Sequence, residues 1–257
     1  MRSAVKTSML ACAFGDLHGP ENTQILEAFR KEMSECSFLM LAGDITRKND
    51  IDSFGLALQN IKSMTEARMI AVFGNEEYEN SHQEYRSRYD VHFLEEEELE
   101  FELDGMRIRV VGSTGVLDRP TWWQRNNMPG VWEIYRQRVT RISELLKRKD
   151  SEVLILLTHY PPTYATLEGE RPSAWPEMGS KSLEGVLMQT LPHLALHAHA
   201  HKGRSVASLS TKQKKLDELE RGRREVKVLN VSLPARGKPT FIEISKGEDG
   251  AKITDLL

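Results

Sequence analysis

Apolar residues fall in short runs, and the spacing of those runs changes character partway along the chain. In the first third, residues 9–14, 38–41 and 69–73 are almost wholly apolar and of strand length. Between them, residues 21–33 and 51–64 repeat their apolar positions at helical spacing, which predicts two amphipathic helices. Strand–helix alternation with short connections predicts a parallel sheet covered by helices.

After residue 95 the pattern shifts. Residues 99–103 and 107–111 flank Asp104-Gly105, a hairpin signal. Ile134, Val139, Ile142, Leu145 and Leu146 place an apolar stripe on a predicted helix over 132–149. Further strands are predicted over 153–157, 194–196, 226–231, 240–244 and near Ile253, pairing mainly without intervening helices. The charged stretch 212–224 reads as an exposed helix or mobile loop. The expected fold is therefore α/β, a four-layer αββα sandwich of two mixed β-sheets flanked by helices. A single domain is expected over 1–257, with a charged insertion over 205–225.

Polar motifs follow the strand-like runs in a fixed order: Asp16-x-His18, Gly43-Asp44, Gly74-Asn75-Glu76, Thr158-His159 and His197-Ala198-His199-Ala200-His201. Ligands in parallel sheets gather beyond the carboxyl ends of the strands, so these side chains are expected along one edge. Asp16 and His18 are two apart, and on an extended strand end both would point the same way. Asp44 can bridge two ions and Asn75 offers a neutral oxygen. Carboxylates, imidazoles and a carboxamide together suit two borderline divalent metals. A lone histidine is usually structural, and His82, His92 and His193, away from the motifs, are expected at the surface or in packing.

Composition narrows the class. With 39% apolar and 28% charged residues, the chain can build a sizeable core. A net charge of −3 gives no reason to expect tight binding to duplex nucleic acid. Cys12 and Cys36 cannot form a disulfide framework and are expected as reduced core thiols, which points to the cytoplasm. The apolar run at 9–14 is too short for a signal peptide, and no segment is long enough to span a membrane. No phosphate-cradling P-loop or dinucleotide glycine fingerprint is present.

Taken together and in order, the motifs resemble those of the calcineurin-like metallophosphoesterases: Asp-x-His, Gly-Asp, Gly-Asn-His-Asp/Glu, His, then Gly-His-x-His. The likeness extends over roughly residues 9–244. It implies that Asp16, His18, Asp44 and His201 hold one metal, and that Asp44, Asn75, His159 and His199 hold the second. His197 is then left to packing or support, although a register using His197 and His199 also exists. The implied cofactors are two divalent ions, manganese first, with iron, zinc, nickel or cobalt as alternatives. The implied activity is phosphoester hydrolysis, with a metal-bridging hydroxide attacking phosphorus in line.

Two positions depart from the family pattern. Ala198 stands where the last motif begins with glycine, which is tolerable if its backbone avoids positive φ. Glu76 replaces the histidine that, in the family, stabilises the transition state or protonates the leaving group. An ionised Glu76 cannot donate a proton and adds negative charge, so the catalytic set Asp44, Asn75 and Glu76 is expected to favour phosphodiesters over dianionic monoesters. Alternatively, Glu76 turns away to cap a neighbouring segment. The competing functions are a phosphomonoesterase or protein phosphatase, and a metal-holding scaffold that binds a protein.

Candidate substrate contacts are Arg119, Arg125 and Arg171, with a nucleotide among the candidate phosphoesters. Trp122 and Trp123 are expected chiefly to anchor the following helix in the core, with stacking on a base as the functional alternative.

Overall fold

The computed structural model describes residues 8–148, 150–210, 225–247 and 250–256. Side-chain alternation along its strands sorts the apolar residues into three layers. On β1 (Ser8–Phe14), Met9, Ala11 and Ala13 face one way, and Cys12 and Phe14 the other. The first set meets Ile108, Val110, Ile155, Leu157, Leu194 and Leu196 of a second sheet. Both faces of the central strands are thus covered, which explains their unbroken apolar sequences.

The first sheet contains β1, β2 (Phe38–Leu41), β3 (Arg68–Ala71), β4 (His92–Phe93), β11 (Thr240–Gly247) and β12 (Gly250–Leu256), in the order β12-β11-β1-β2-β3-β4. From β1 to β4 the pairs are parallel, and β11 runs antiparallel to both neighbours. The second sheet contains β5 (Glu97–Leu103), β6 (Met106–Ser113), β7 (Val153–Thr158), β8 (Leu194–His197), β9 (Val206–Ser210) and β10 (Glu225–Asn230), in the order β5-β6-β7-β8-β10-β9. The expected sandwich of two mixed sheets is what the chain forms. The β5–β6 turn has Asp104 at φ 50° and Gly105 at φ 71°, the left-handed pair that a two-residue hairpin needs.

The helices depart from expectation in places. The helix expected over 21–33 is broken into a 3₁₀ turn (Pro20–Thr23), α1 (Gln24–Glu27) and α2 (Arg30–Ser34). The break sits at Phe29, whose N–H takes the Leu26 carbonyl, three residues back. α3 (Ile51–Lys62) is capped by Asp50, which accepts from Ser53 N at 2.9 Å. α4 (His82–Arg88) leads to β4.

Strands of the second sheet were expected to pair mainly without helices. Instead β6, β7 and β8 are parallel, and parallel pairs require crossovers. α5 (Trp122–Asn127) and α6 (Val131–Lys147) supply the first, and α7 (Lys181–Thr190) the second. α7 is short and contains Gly185, which blurs its period in the sequence. α8 (Leu233–Arg236) follows β10. Within the segment expected as an insertion, residues 206–210 form β9 and Glu225 opens β10, while 211–224 lie outside the described residues. Among the described residues, no helix is long and apolar enough to cross a membrane.

Candidate metal centre

The site lies where β1, β2, β3, β7 and β8 end and their chains turn. Backbone amides there need acceptors, and one buried carboxylate supplies most of them. Glu77 Oε2 accepts from Asp44 N and Gly74 N at 2.8 Å each; Oε1 accepts from Ile45 N at 2.8 Å and Thr46 N at 3.1 Å. It ties the β2 loop to the β3 loop. Behind it, His82 Nε2 meets the Glu77 carbonyl at 3.1 Å while the ring stacks on Phe73, centroids 3.6 Å apart. The approach of the two loops is close enough that a Cβ on Gly74 would lie 2.1 Å from Asp44 Oδ1. Glu77 fills the Asp/Glu place of the third motif, a signal present in the sequence but not assigned a role there. His82 is a packing residue, as expected.

Four of the seven expected ligands occupy left-handed backbone: Asp16 (φ 55°), His18 (φ 55°), Asp44 (φ 52°) and His199 (φ 66°). This corrects the picture of Asp16 and His18 sharing the direction of an extended strand. Residues of this kind rarely adopt such φ values unless the surroundings impose them, and such strain collects at functional sites. Hydrogen bonds from Asp16 N to Gly43 O and from His18 N to Asp44 O, both 3.0 Å, impose it here. Ala198 is not among the positive-φ residues, so its methyl group is accommodated. Gly15 makes the space: a Cβ there would lie 2.6 Å from that of Ala198.

Two groups of side chains converge. Asp16, His18 and His201 form one, and Asp16, Asp44 and His159 the other, the candidate ligand atoms of each lying within 4.8 Å of one another. Asp16 is common to both in this geometry, whereas Asp44 was the expected bridge. His18 Nε2 and His201 Nε2 face each other at 3.5 Å, and His201 Nε2 is 3.5 Å from Asp16 Oδ2. His159 Nδ1 donates to Ala42 O at 2.9 Å, which leaves Nε2 able to ligate, 3.1 Å from Asn75 Oδ1 and 3.6 Å from Asp44 Oδ2. His199 stands edge-on to His159, ring centroids 5.0 Å apart, and its backbone N–H donates to Asp16 Oδ2 at 2.8 Å.

The donor set fits divalent cations. Asp16 Oδ1 is buried without a hydrogen-bond partner, an expensive state for a carboxylate that a cation would relieve. Burial alone would raise Asp16, but the His201 hydrogen bond and the nearby imidazoles hold it below the usual carboxylate range. Asp44 is pushed up by burial and by the charges of Glu77 and Asp16. Burial lowers His159, and takes His199 down to about 3, keeping both imidazoles neutral and able to ligate.

The other expected site residues are placed differently. Glu76 Oε2 accepts from Lys48 N at 2.5 Å, so its side chain caps the β2 loop while its own N–H donates to Asp44 Oδ1 at 2.8 Å. Its charge is still felt at Asp44 and His18. Arg119 and Arg125 both pair with Glu177, at 3.0 and 3.5 Å, joining their segment to the 3₁₀ turn Pro172–Glu177. Arg171 is exposed at the head of that turn. Trp122 and Trp123 do not anchor α5 in the core: they are 70% and 60% exposed. Gln124 is the anchor, buried and 3.3 Å from the Tyr160 hydroxyl, with Tyr160 edge-on to His199 at 4.9 Å. His197 is buried, in the packing place expected for it, while Asn230 and Ser232 are buried supports that the motif pattern did not single out.

The calcineurin-like phosphoesterase family model matches residues 9–203, and the chain belongs to that family. It is a metal-dependent phosphoester hydrolase by that membership. No curated protein matches its sequence significantly. Solved structures share the fold at low identity. The phosphopantetheinyl hydrolase of Mycobacterium tuberculosis has a TM-score of 0.60 at 15% identity, over 90% of this chain and 92% of that one. A putative 5′-nucleotidase of Staphylococcus aureus has a TM-score of 0.57 at 12% identity over 97% of this chain, which spans 53% of that protein. GAP50, an anchor in the inner membrane complex of Plasmodium, has a TM-score of 0.57 at 12% identity, over 98% of this chain and 85% of that one.

Proposed function

We propose that this protein is a cytoplasmic two-metal hydrolase that prefers phosphodiesters to phosphomonoesters. The observation that carries the preference is Glu76. Its carboxylate accepts from Lys48 N, and its charge reaches Asp44 and His18. Turned toward Lys48, it leaves this place without the family's histidine and sets a carboxylate beside it. An added charge about 5 Å from phosphate costs roughly 3 kcal/mol per unit of substrate charge at an effective dielectric of 20. A dianionic monoester bears that cost twice, a monoanionic diester once.

The seven side chains Asp16, His18, Asp44, Asn75, His159, His199 and His201 are the proposed ligands, with manganese the first metal to test. When bound, two such ions supply an activated water and neutralise charge on the phosphoryl oxygens. The chain itself gathers the donors and presents His159 and His199 as neutral imidazoles, with His159 fixed in one tautomer by Ala42 O. Exposed Arg171 is the proposed phosphate contact, because Arg119 and Arg125 already share Glu177. A nucleotide is a candidate substrate: the exposed indoles of Trp122 and Trp123 offer faces for a base.

The test is hydrolysis of paired nitrophenyl mono- and diesters by manganese-loaded protein, with Asp44→Asn as control. The wild type should favour the diester, Asp44→Asn should lose both activities, and Glu76→His should shift the ratio toward the monoester by at least about tenfold. An unchanged ratio in Glu76→His would refute the diester argument. Inactivity of the wild type with both ions bound would favour a scaffold, a role that the fold also serves in the Plasmodium anchor.

A further inference from the structure

The family match ends at residue 203, yet the two halves of the site meet at residues 230–232. There the end of β10 runs between the Asp16 arm of the first sheet and the histidine turn of the second. Gly15 N donates to Val231 O at 3.1 Å, Leu233 N to Gly15 O at 3.0 Å, and Gly15 and Ser232 form an isolated parallel bridge. On the other side, Val231 N donates to His197 O at 2.7 Å. The fully buried Asn230 donates from Nδ2 to Ala200 O at 2.7 Å, between His199 and His201, and its Oδ1 accepts from Ser232 N at 3.2 Å.

Two orphan atoms lie in this region. Ser232 Oγ and Asp16 Oδ1 are both buried and both without a hydrogen-bond partner. The Gly15–Ser232 bridge sets Ser232 beside the residue that precedes Asp16, so the two side chains start from adjacent backbone positions. A hydroxyl is free to rotate, so it can donate to one Asp16 oxygen and leave the other for a cation.

We propose that Ser232 and Asn230 are positioning residues for the metal on the Asp16–His18–His201 side: Ser232 orients the Asp16 carboxylate, and Asn230 holds the turn that presents His201. This rests on the ligand set proposed above. Partners of this kind, which touch ligands and not the metal, typically change affinity by about 10–100-fold when removed.

The experiment is calorimetric titration of metal-free protein with manganese. Wild type should take up two ions, and His18→Ala identifies the ion on the Asp16–His18–His201 side. In Ser232→Ala that ion should bind about 10–100-fold more weakly. Ser232→Thr, which keeps the hydroxyl, should recover the affinity. Asn230→Asp replaces the donor to Ala200 O by an acceptor and should weaken the same ion; should it fail to fold, the serine pair decides. Wild-type affinities in Ser232→Ala overturn the positioning role. A wild type that binds no manganese overturns the ligand set itself, and the positioning role with it.

Discussion

Replacing Glu77 by glutamine changes one atom's chemistry at a position that touches no substrate. The carboxylate accepts four backbone N–H groups, two on each oxygen, all at 2.8–3.1 Å. Glutamine has one accepting oxygen, and its amide would face the other two N–H groups donor to donor. Each buried N–H left without an acceptor costs about 1–3 kcal/mol, or about 2–6 kcal/mol for the pair. Burial opposes the charged form of Glu77, so removing that charge offsets part of the loss. A net destabilisation of roughly 2–4 kcal/mol follows. For a chain of this size that is a fall of roughly 5–15 °C in melting temperature. The assay is thermal and urea unfolding of the metal-free protein beside Glu76→Gln, which perturbs a single bond at Lys48 and should cost less than about 1 kcal/mol. Whichever pair is released, Asp44 N with Gly74 N or Ile45 N with Thr46 N, the loop that carries Asp44 is loosened, so manganese binding by Glu77→Gln should also weaken. A Glu77→Gln variant as stable as Glu76→Gln would refute the reasoning.

Gly15→Ala should destabilise the protein by about 1–3 kcal/mol, because the new Cβ meets that of Ala198 at 2.6 Å. Ala198→Gly in the same chain should recover only part of it, since Ala42 remains 3.1 Å away; a double-mutant cycle with no coupling would contradict the packing argument. Acid should weaken the metal-free fold through His197, which burial takes down to about 4. With the folded value below the unfolded one near 6.5, the unfolded chain takes up the proton first. Stability is therefore full above pH 6.5 and falls between pH 6.5 and 4, by up to about 3 kcal/mol from this group. His197→Gln should flatten that part of the stability–pH curve, and the same slope in both proteins would exclude the assignment.

Much of the architecture was legible because its signals are local. Unbroken apolar runs marked strands covered on both faces, and Asp104-Gly105 marked the hairpin with its left-handed turn. α7 was missed because a ten-residue helix containing Gly185 carries little periodic signal. The helix over 21–33 was drawn too long because its apolar spacing persists through the break at Phe29. Trp122 and Trp123 were misplaced for a different reason. Indole is apolar enough to suggest a core anchor, but Gln124, not either tryptophan, reaches Tyr160.

The sequence by itself determined which chemical groups stand at the ends of which strands, since residue type and strand order are properties of the chain alone. It also marked Glu76 as the exceptional position. Only the tertiary structure decided where those groups point. The left-handed backbone at Asp16, His18, Asp44 and His199 follows from hydrogen bonds between distant loops, not from neighbouring residues. The same holds for the four N–H groups gathered by Glu77, the turn of Glu76 toward Lys48, and the room that Gly15 leaves for Ala198. These pairings join loops that follow different strands, and they exist only once those strands have paired or, for Gly15 and Ala198, once the two sheets have packed.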